Sequence, residues 1–361
     1  MSLKKIRILY TIPNFNTAGS GKVVYDLAKY LDRDRFEVHI ACKHNQGAFF
    51  KTVEALGLPI HFIDPTVSVR PYLSLLKRLS PFKSFLKTHH FDVVHSWHWS
   101  SDWSEPLACK LSGIPFVYTK KAMGWGNIHW KLRSYLSRFI ITVNSDMTAF
   151  FPYKKHQGYI PFGLDLAYYT PRHVSDSQVE GVFKIITVAN LVPVKHIEIL
   201  IQAIGLLTEK QMQLEILGDD DTNYARELKQ LVKTKKLETQ VLFLGKQPDV
   251  RPYLSQADLY VICSKQEGMP MALVEAMAMG LPVLGSDVAG IKDVLKAFPN
   301  LLFPASNSEA LAKKIQMLYK TPIDERQLLG SELRAYTEQH FSLEQFIKAH
   351  EALYTDILEK K

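Results

Sequence analysis

The chain alternates short apolar runs with longer segments whose apolar residues recur at helical spacing. In the first half KKIRILYTIP, FEVHIAC, PIHFID, FDVVHS and PFVYT read as strands, with KVVYDLAKYLDR and AFFKTVEALG as helices among them. Apolar runs of about four to eight residues bounded by turn signals fit strands covered on both faces. From FKIITVANLVPVKHIEILIQAI onward the strand–loop–helix rhythm starts again, through LEILGDDD, VLFLGKQPDV, ADLYVICS and LPVLGSD. Between the last two, Met271 to Met279 reads as a helix, opened by Pro270 and stopped by Gly280 with Pro282 just beyond. FSLEQFIKAHEALYTDILEKK reads as a terminal helix. The stretch 158–181, with Pro161, Gly163, Pro171 and a polar run, has neither period and reads as a connection. The pattern predicts an α/β protein of two similar domains, although no strict repeat is visible.

Strand, helix, strand with short links is a parallel βαβ unit, and such sheets bind ligands beyond the carboxyl ends of their strands. Two carboxylates fall on that edge: Glu267 in the loop after ADLYVICS, and Glu275 about one turn into the helix. The backbone N–H groups of Gly268, Met269, Met271 and Ala272 cluster at the helix start, where the dipole favours an anion such as phosphate. An acidic side chain there can accept hydrogen bonds from a ribose diol. This edge is therefore suited to a sugar nucleotide.

EGMPMALVEAMAMGLPVLGSD, with Glu267 and Glu275 flanking seven residues, resembles the donor-site motif of the retaining glycosyltransferases of family 4. The resemblance covers essentially the whole chain, strongly in the second half. It implies a GT-B fold: two Rossmann-like parallel-sheet domains facing across a cleft, here 1–168 on the acceptor side and 169–340 on the nucleotide-sugar side. A terminal helix of about 341–361 would cross back onto the first domain. It also implies metal-independent transfer with retention, without a cofactor, from a nucleoside-diphosphate sugar to a saccharide or lipid-linked acceptor. A bacterial surface-polysaccharide or glycolipid role follows from the same likeness. By resemblance, Glu267 contacts the donor sugar, Lys195 neutralises the leaving diphosphate, and Gly19 and its neighbours leave room for phosphate and acceptor.

Four places depart from the family pattern. Asn190 replaces an arginine and His196 a glycine beside Lys195, and Phe162 stands where the family usually has asparagine. Where relatives commonly end a strand in histidine, this chain reads Thr119, Lys120, Lys121; Lys121 is the candidate polar contact for an acidic sugar or an acceptor phosphate. The loop carrying His95, Trp97, His98, Trp99 and Trp103 suits a saccharide acceptor, since aromatic planes stack on sugar faces, and His98 is its strongest candidate.

The formal charge of +8 and the 47% hydrophobic content narrow the partners. A basic chain of this kind favours nucleotide diphosphates, anionic lipid or nucleic acid, and no nucleic-acid-binding motif appears. The basic, amphipathic stretch 70–90 is a candidate for an anionic membrane surface, with Tyr72, Leu76, Phe82 and Phe85 as its apolar side; the alternative is a helix pair packed on the sheet. No apolar run reaches the ~20 residues of a membrane span. Cys42, Cys109 and Cys263 lack paired spacing, which points to a reducing cytoplasm and against zinc or disulfides. AGSGK fails as a P-loop, because Asn16 and Val23 stand where glycine and Ser or Thr belong. Asp219, Asp220 and Asp221 mimic an aspartate metal motif, but Asp219 is taken as a loop residue near the nucleotide and no metal is expected. The rival functions are a sugar-nucleotide epimerase or a phosphorylase on the same fold, and a degenerate transferase acting as a non-catalytic partner.

Overall fold

The structure is a computed structural model that describes residues 4–16, 18–171, 181–209 and 211–359. It contains two compact units, one of Met1–Phe162 with Glu344–Lys361 and one of Gly163–Leu343. The boundary falls at Phe162/Gly163 rather than 168/169. Of the expected connection, residues 172–180 lie outside the described residues, and Gly158 and Tyr159 belong to a strand.

The first unit runs β1 (Ile6–Thr11), α1 (Ala18–Tyr30), β2 (Phe36–Cys42), α2 (Phe50–Glu54), β3 (Ile60–Phe62), α3 (Leu75–His89), β4 (Val93–Ser96), α4 (Ser104–Leu111), β5 (Phe116–Lys120), α5 (Ile128–Leu136), β6 (Phe139–Thr142) and β7 (Gln157–Tyr159). Its sheet has the order β3-β2-β1-β4-β5-β6-β7, and the pairs are parallel. The order reverses between β1 and β4, which opens a crevice at their carboxyl ends. Ile8, Leu9 and Tyr10 of β1 and Val93 and Val94 of β4 are fully buried, as central strands covered on both faces must be.

The second unit runs β8 (Phe183–Val188), α6 (Ile197–Ile204), β9 (Met212–Leu217), α7 (Asn223–Thr234), β10 (Val241–Gly245), α8 (Arg251–Leu254), β11 (Leu259–Ile262), α9 (Met271–Ala278), β12 (Val283–Ser286), α10 (Ile291–Val294), β13 (Leu302–Phe303), α11 (Ser308–Lys320) and α12 (Ile323–His340). Its parallel sheet, β10-β9-β8-β11-β12-β13, reverses between β8 and β11. The chain then enters α13 (Leu343–Glu359), whose Tyr354 hydroxyl lies 2.6 Å from His95 Nδ1 in the first unit's core.

Four expectations need correction. α1 starts at Ala18, ahead of Lys22, and is kinked at Gly19, whose backbone lies outside the helical range. The basic stretch forms one helix, not a pair: Leu75, Leu79, Phe82 and Leu86 share a buried stripe around Pro81. Phe82 is therefore core and cannot serve a membrane surface. The aromatic loop is largely internal, since His95 and Trp97 are fully buried and only Trp99 is strongly exposed. Among the described residues no helix is long and apolar enough to cross a membrane.

Candidate functional site

In the second unit, the ends of β8, β9 and β11 share one edge of the sheet. After β8 the chain passes Asn190, an exposed residue whose carbonyl accepts from the Val192 N–H, and makes a tight turn over Pro193–Lys195. His196 follows with φ of 54°, the left-handed region that makes glycine the easier residue there. The turn is pinned at two places. The Lys265 N–H donates to the Val194 carbonyl at 2.8 Å, and Gly218 lets the Ala189 carbonyl come so close that a Cβ would stand 2.1 Å from it.

This framing delivers Lys195 to the loop after β11. Its ammonium lies 2.6 Å from Glu267 Oε1, and the Ser264 hydroxyl donates to the same oxygen at 2.6 Å. Ser264 is fixed in turn by the Ser286 hydroxyl, which donates to its carbonyl at 2.6 Å. Glu267 is only 8% exposed, so the carboxylate is held by its partners rather than by water. Gly290, at the start of α10 with φ of 81°, brings a second wall against this loop: a Cβ there would lie 2.6 Å from the Gly268 carbonyl oxygen and 2.9 Å from that of Glu267.

Gly268, Met269, Met271 and Ala272 lead from Glu267 into α9 as expected from their spacing, with one correction. The Met271 N–H donates to the Met269 carbonyl at 3.1 Å, so this amide is engaged within the turn rather than offered outward. The helix stops at Ala278, with Met279 as its cap. Glu275 sits in the helix body, half-buried beside Tyr169, whose phenol is pushed up by burial and by the Glu275 charge. Asp219 stands exposed beyond β9 and accepts from the Asp221 N–H at 3.3 Å. Asp220 pairs with Lys229 at 2.7 Å and Asp221 with Arg226 at 3.4 Å, so the three carboxylates turn to separate partners.

The first unit gathers its own candidates at the crevice between β1 and β4. Gly19 opens α1 with φ of −20° and ψ of −107°, outside the helical range. Beside it, Ser20 Oγ accepts from Lys121 Nζ at 3.0 Å, and the Trp97 carbonyl is a further acceptor for that ammonium. The ammonium also lies 5.5 Å from the centre of the exposed Trp99 ring. Burial, with a contribution from the Arg133 charge, lowers Lys121 to about 7. His98 is buried, which holds its imidazole down to about 4. It lines a pocket of about 460 Å³ together with Lys43, Asp64, Ser68, Trp99 and Asp102.

Several site-forming groups lack a sequence signal. Glu105 and Arg133 form a fully buried ion pair at 3.0 Å beneath this crevice, with the Ser96 hydroxyl 2.8 Å from Glu105 Oε2 and 2.7 Å from the guanidinium. The Arg251 guanidinium stacks 3.5 Å over the Tyr168 ring. Tyr169 and Gly290 are likewise invisible to spacing, because their partners are distant in sequence, and Ser264, three residues before Glu267, is hidden as the last residue of the apolar run read as a strand.

Two Rossmann-like parallel sheets in one chain, each with polar side chains at a strand-order reversal, define a GT-B protein. The Anabaena protein HepE, solved in complex with UDP-glucose, shares the fold at a TM-score of 0.78, with 21% identity over 97% of this chain and 100% of that one. Residues 173–335 match the family of glycosyl transferases group 1, and residues 17–150 match glycosyltransferase family 4. The chain belongs to the group 1, family 4 glycosyltransferases. It is 31% identical over 176 residues to the N-acetyl-α-D-glucosaminyl L-malate synthase of Bacillus anthracis, a match covering 48% of this chain and 45% of that protein. It is 29% identical over 184 residues to the amylovoran biosynthesis glycosyltransferase AmsK of Erwinia amylovora, covering 47% of this chain and 45% of that one. The chain thus spans less than half the length of either relative.

Proposed function

We propose that this chain transfers a sugar, with retention and without a metal ion, from a nucleoside-diphosphate donor to a saccharide or lipid-linked acceptor in surface polysaccharide or glycolipid synthesis. The observation that carries this reading is the Lys195–Glu267 pair at the entrance to α9. The ammonium and the amides at the helix start supply fixed positive charge where the diphosphate leaves. Glu267 accepts from donor sugar hydroxyls, and Glu275 accepts from the ribose diol once it exchanges the Tyr169 contact.

In the reaction, the bond from the anomeric carbon to the β-phosphate oxygen breaks as the acceptor oxygen bonds to the same face of the sugar. The departing phosphate oxygen takes the acceptor proton, so no separate carboxylate base is required. Lys195 then neutralises the charge left on the diphosphate. The pocket beside His98 and Trp99 offers the donors, acceptors and ring plane that a saccharide acceptor needs. Exposed Tyr72, Leu73 and Leu76 next to Arg70 and Lys77 give the first unit a surface suited to anionic lipid. Greater sedimentation with anionic than with neutral liposomes at low salt tests that contact; equal sedimentation removes it.

The activity test is a panel of nucleotide sugars incubated with saccharide and lipid-linked acceptors in the presence of EDTA. The reading requires acceptor-dependent release of a nucleoside diphosphate and a product with the donor's anomeric configuration. Donor epimerised without acceptor would establish the epimerase instead, and no turnover with any donor would leave the degenerate partner.

A further inference from the structure

We propose that His39, His61 and His89 form a binding site for a divalent transition-metal ion, of the kind that prefers imidazole, at the β3 edge of the first unit's sheet. Their ligand atoms all lie within 4.8 Å of one another. The topology puts them together. His61 of β3 pairs in register with Ala41 of β2, so His39, two residues before Ala41, projects from the same face. His89 is the last residue of α3, and its ring centre lies 4.6 Å from that of His61.

The separations suit one ion. His39 Nδ1 and His61 Nε2 are 2.9 Å apart and now share one proton. Two nitrogens bound to a single tetrahedral zinc at 2.0–2.1 Å stand roughly 3.3–3.4 Å apart, about 0.5 Å more than these two do. Replacing that proton with a metal ion therefore needs little movement of these two rings, and His89 turns inward to complete the set. The other nitrogen of His39 faces Glu37 Oε1 at 2.9 Å, the carboxylate–histidine arrangement that fixes a metal-binding imidazole and raises its basicity. Phe85 and Phe91 wall the cluster, with ring centres 4.9 and 6.5 Å from His61.

Charge and protonation bear on the ion's class. Arg7 is the opposing cation, and it is paired with Glu37 at 2.9 Å. Neutral rings offer lone pairs, and an all-imidazole set selects zinc, copper or nickel over magnesium or calcium. Such an ion would tie an edge strand, its neighbour and the end of α3 together. This proposal is independent of the donor site in the second unit.

The test uses the full chain after EDTA treatment and dialysis, titrated with zinc chloride by calorimetry. One zinc per chain, a rise in melting temperature on zinc addition, and no heat with magnesium are expected. His61→Gln/His89→Gln should lose the binding and the thermal shift, Glu37→Gln should weaken affinity roughly 10- to 100-fold, and His156→Gln should change neither. Unchanged stoichiometry in the double variant, or no zinc binding by the wild type, overturns the proposal. Should the double variant fail to fold, His89→Gln alone, at the half-buried helix end, gives the same reading; cobalt(II) must then lose its visible absorption bands relative to wild type, and bands that persist unchanged refute the site.

Discussion

Lys195 Nζ and Ser264 Oγ converge on one oxygen of Glu267, each at 2.6 Å. The carboxylate is therefore aimed by two donors from different elements, one after β8 and one after β11. Glu267→Gln keeps an acceptor oxygen and the shape but loses the charge that holds Lys195. Turnover should fall about 100-fold or more, the scale of a misplaced reacting group, while affinity for the nucleoside diphosphate stays nearly constant. Steady-state kinetics and calorimetry on the same preparation separate the two; full activity in the variant would refute the role.

Gly290 carries the second wall of that loop. Any side chain there meets the Gly268 and Glu267 carbonyls at 2.6 and 2.9 Å and must adopt φ of 81°. Gly290→Ala should cost about 1–3 kcal/mol of stability and reduce donor turnover along with it. Urea denaturation and KM for the donor check this. A variant with wild-type values for both would mean that the loop adjusts freely.

Beneath the first unit's crevice, the Glu105–Arg133 pair is fully buried at 3.0 Å, with Thr11 and Ser96 hydroxyls donating to the carboxylate. Burial pushes the Glu105 carboxyl up, but His98, Arg133 and these hydroxyls outweigh it and hold it below the usual range. Removing one partner strands the other charge, a loss of about 3–5 kcal/mol. Glu105→Gln should show this in urea unfolding, and Glu105→Gln/Arg133→Met should cost less than the sum of the single changes. Additive losses would mean that the two charges do not depend on each other.

Lys121 gives a pH signature. Its folded value is about 7, against about 10.4 for an unperturbed lysine. Between those values the unfolded chain holds a proton that the folded chain has released, so stability rises with pH across that window and this contribution is flat below it. Lys121→Met removes the rise. Unfolding midpoints of both proteins at pH ~6, ~8 and ~9.5 should diverge in favour of the wild type as pH increases; parallel curves would contradict the burial of a lysine with a lowered affinity for protons.

Repeating strand–helix alternation made the two parallel sheets legible from sequence, because each strand and its crossover helix are contiguous. The candidate donor edge is legible as a grouping for the same reason: Glu267, Gly268, Met269 and Glu275 lie within one loop and one helix. The pairing of Lys195 with Glu267 was not, since it depends on β8 and β11 becoming neighbours across a strand-order reversal. The strand FDVVHS was legible, but the burial of His95 and Trp97 was not, because α13 returns from the far end of the chain to cover them, and Tyr354 and His350 pack on His95. The lysines around Phe82 left its stretch open between a membrane surface and a packed helix, and only the buried stripe of α3 decides for packing.

The central claim is that the diphosphate of a sugar nucleotide rests at the start of α9 between Lys195 and Glu275. A crystal structure of the full chain with UDP, GDP or ADP measures this directly. The account predicts phosphate oxygens within hydrogen-bonding reach of Lys195 Nζ and the Gly268–Ala272 segment, and ribose hydroxyls on the Glu275 carboxylate. A nucleotide bound at another strand edge, with Lys195 still closed on Glu267, would contradict it.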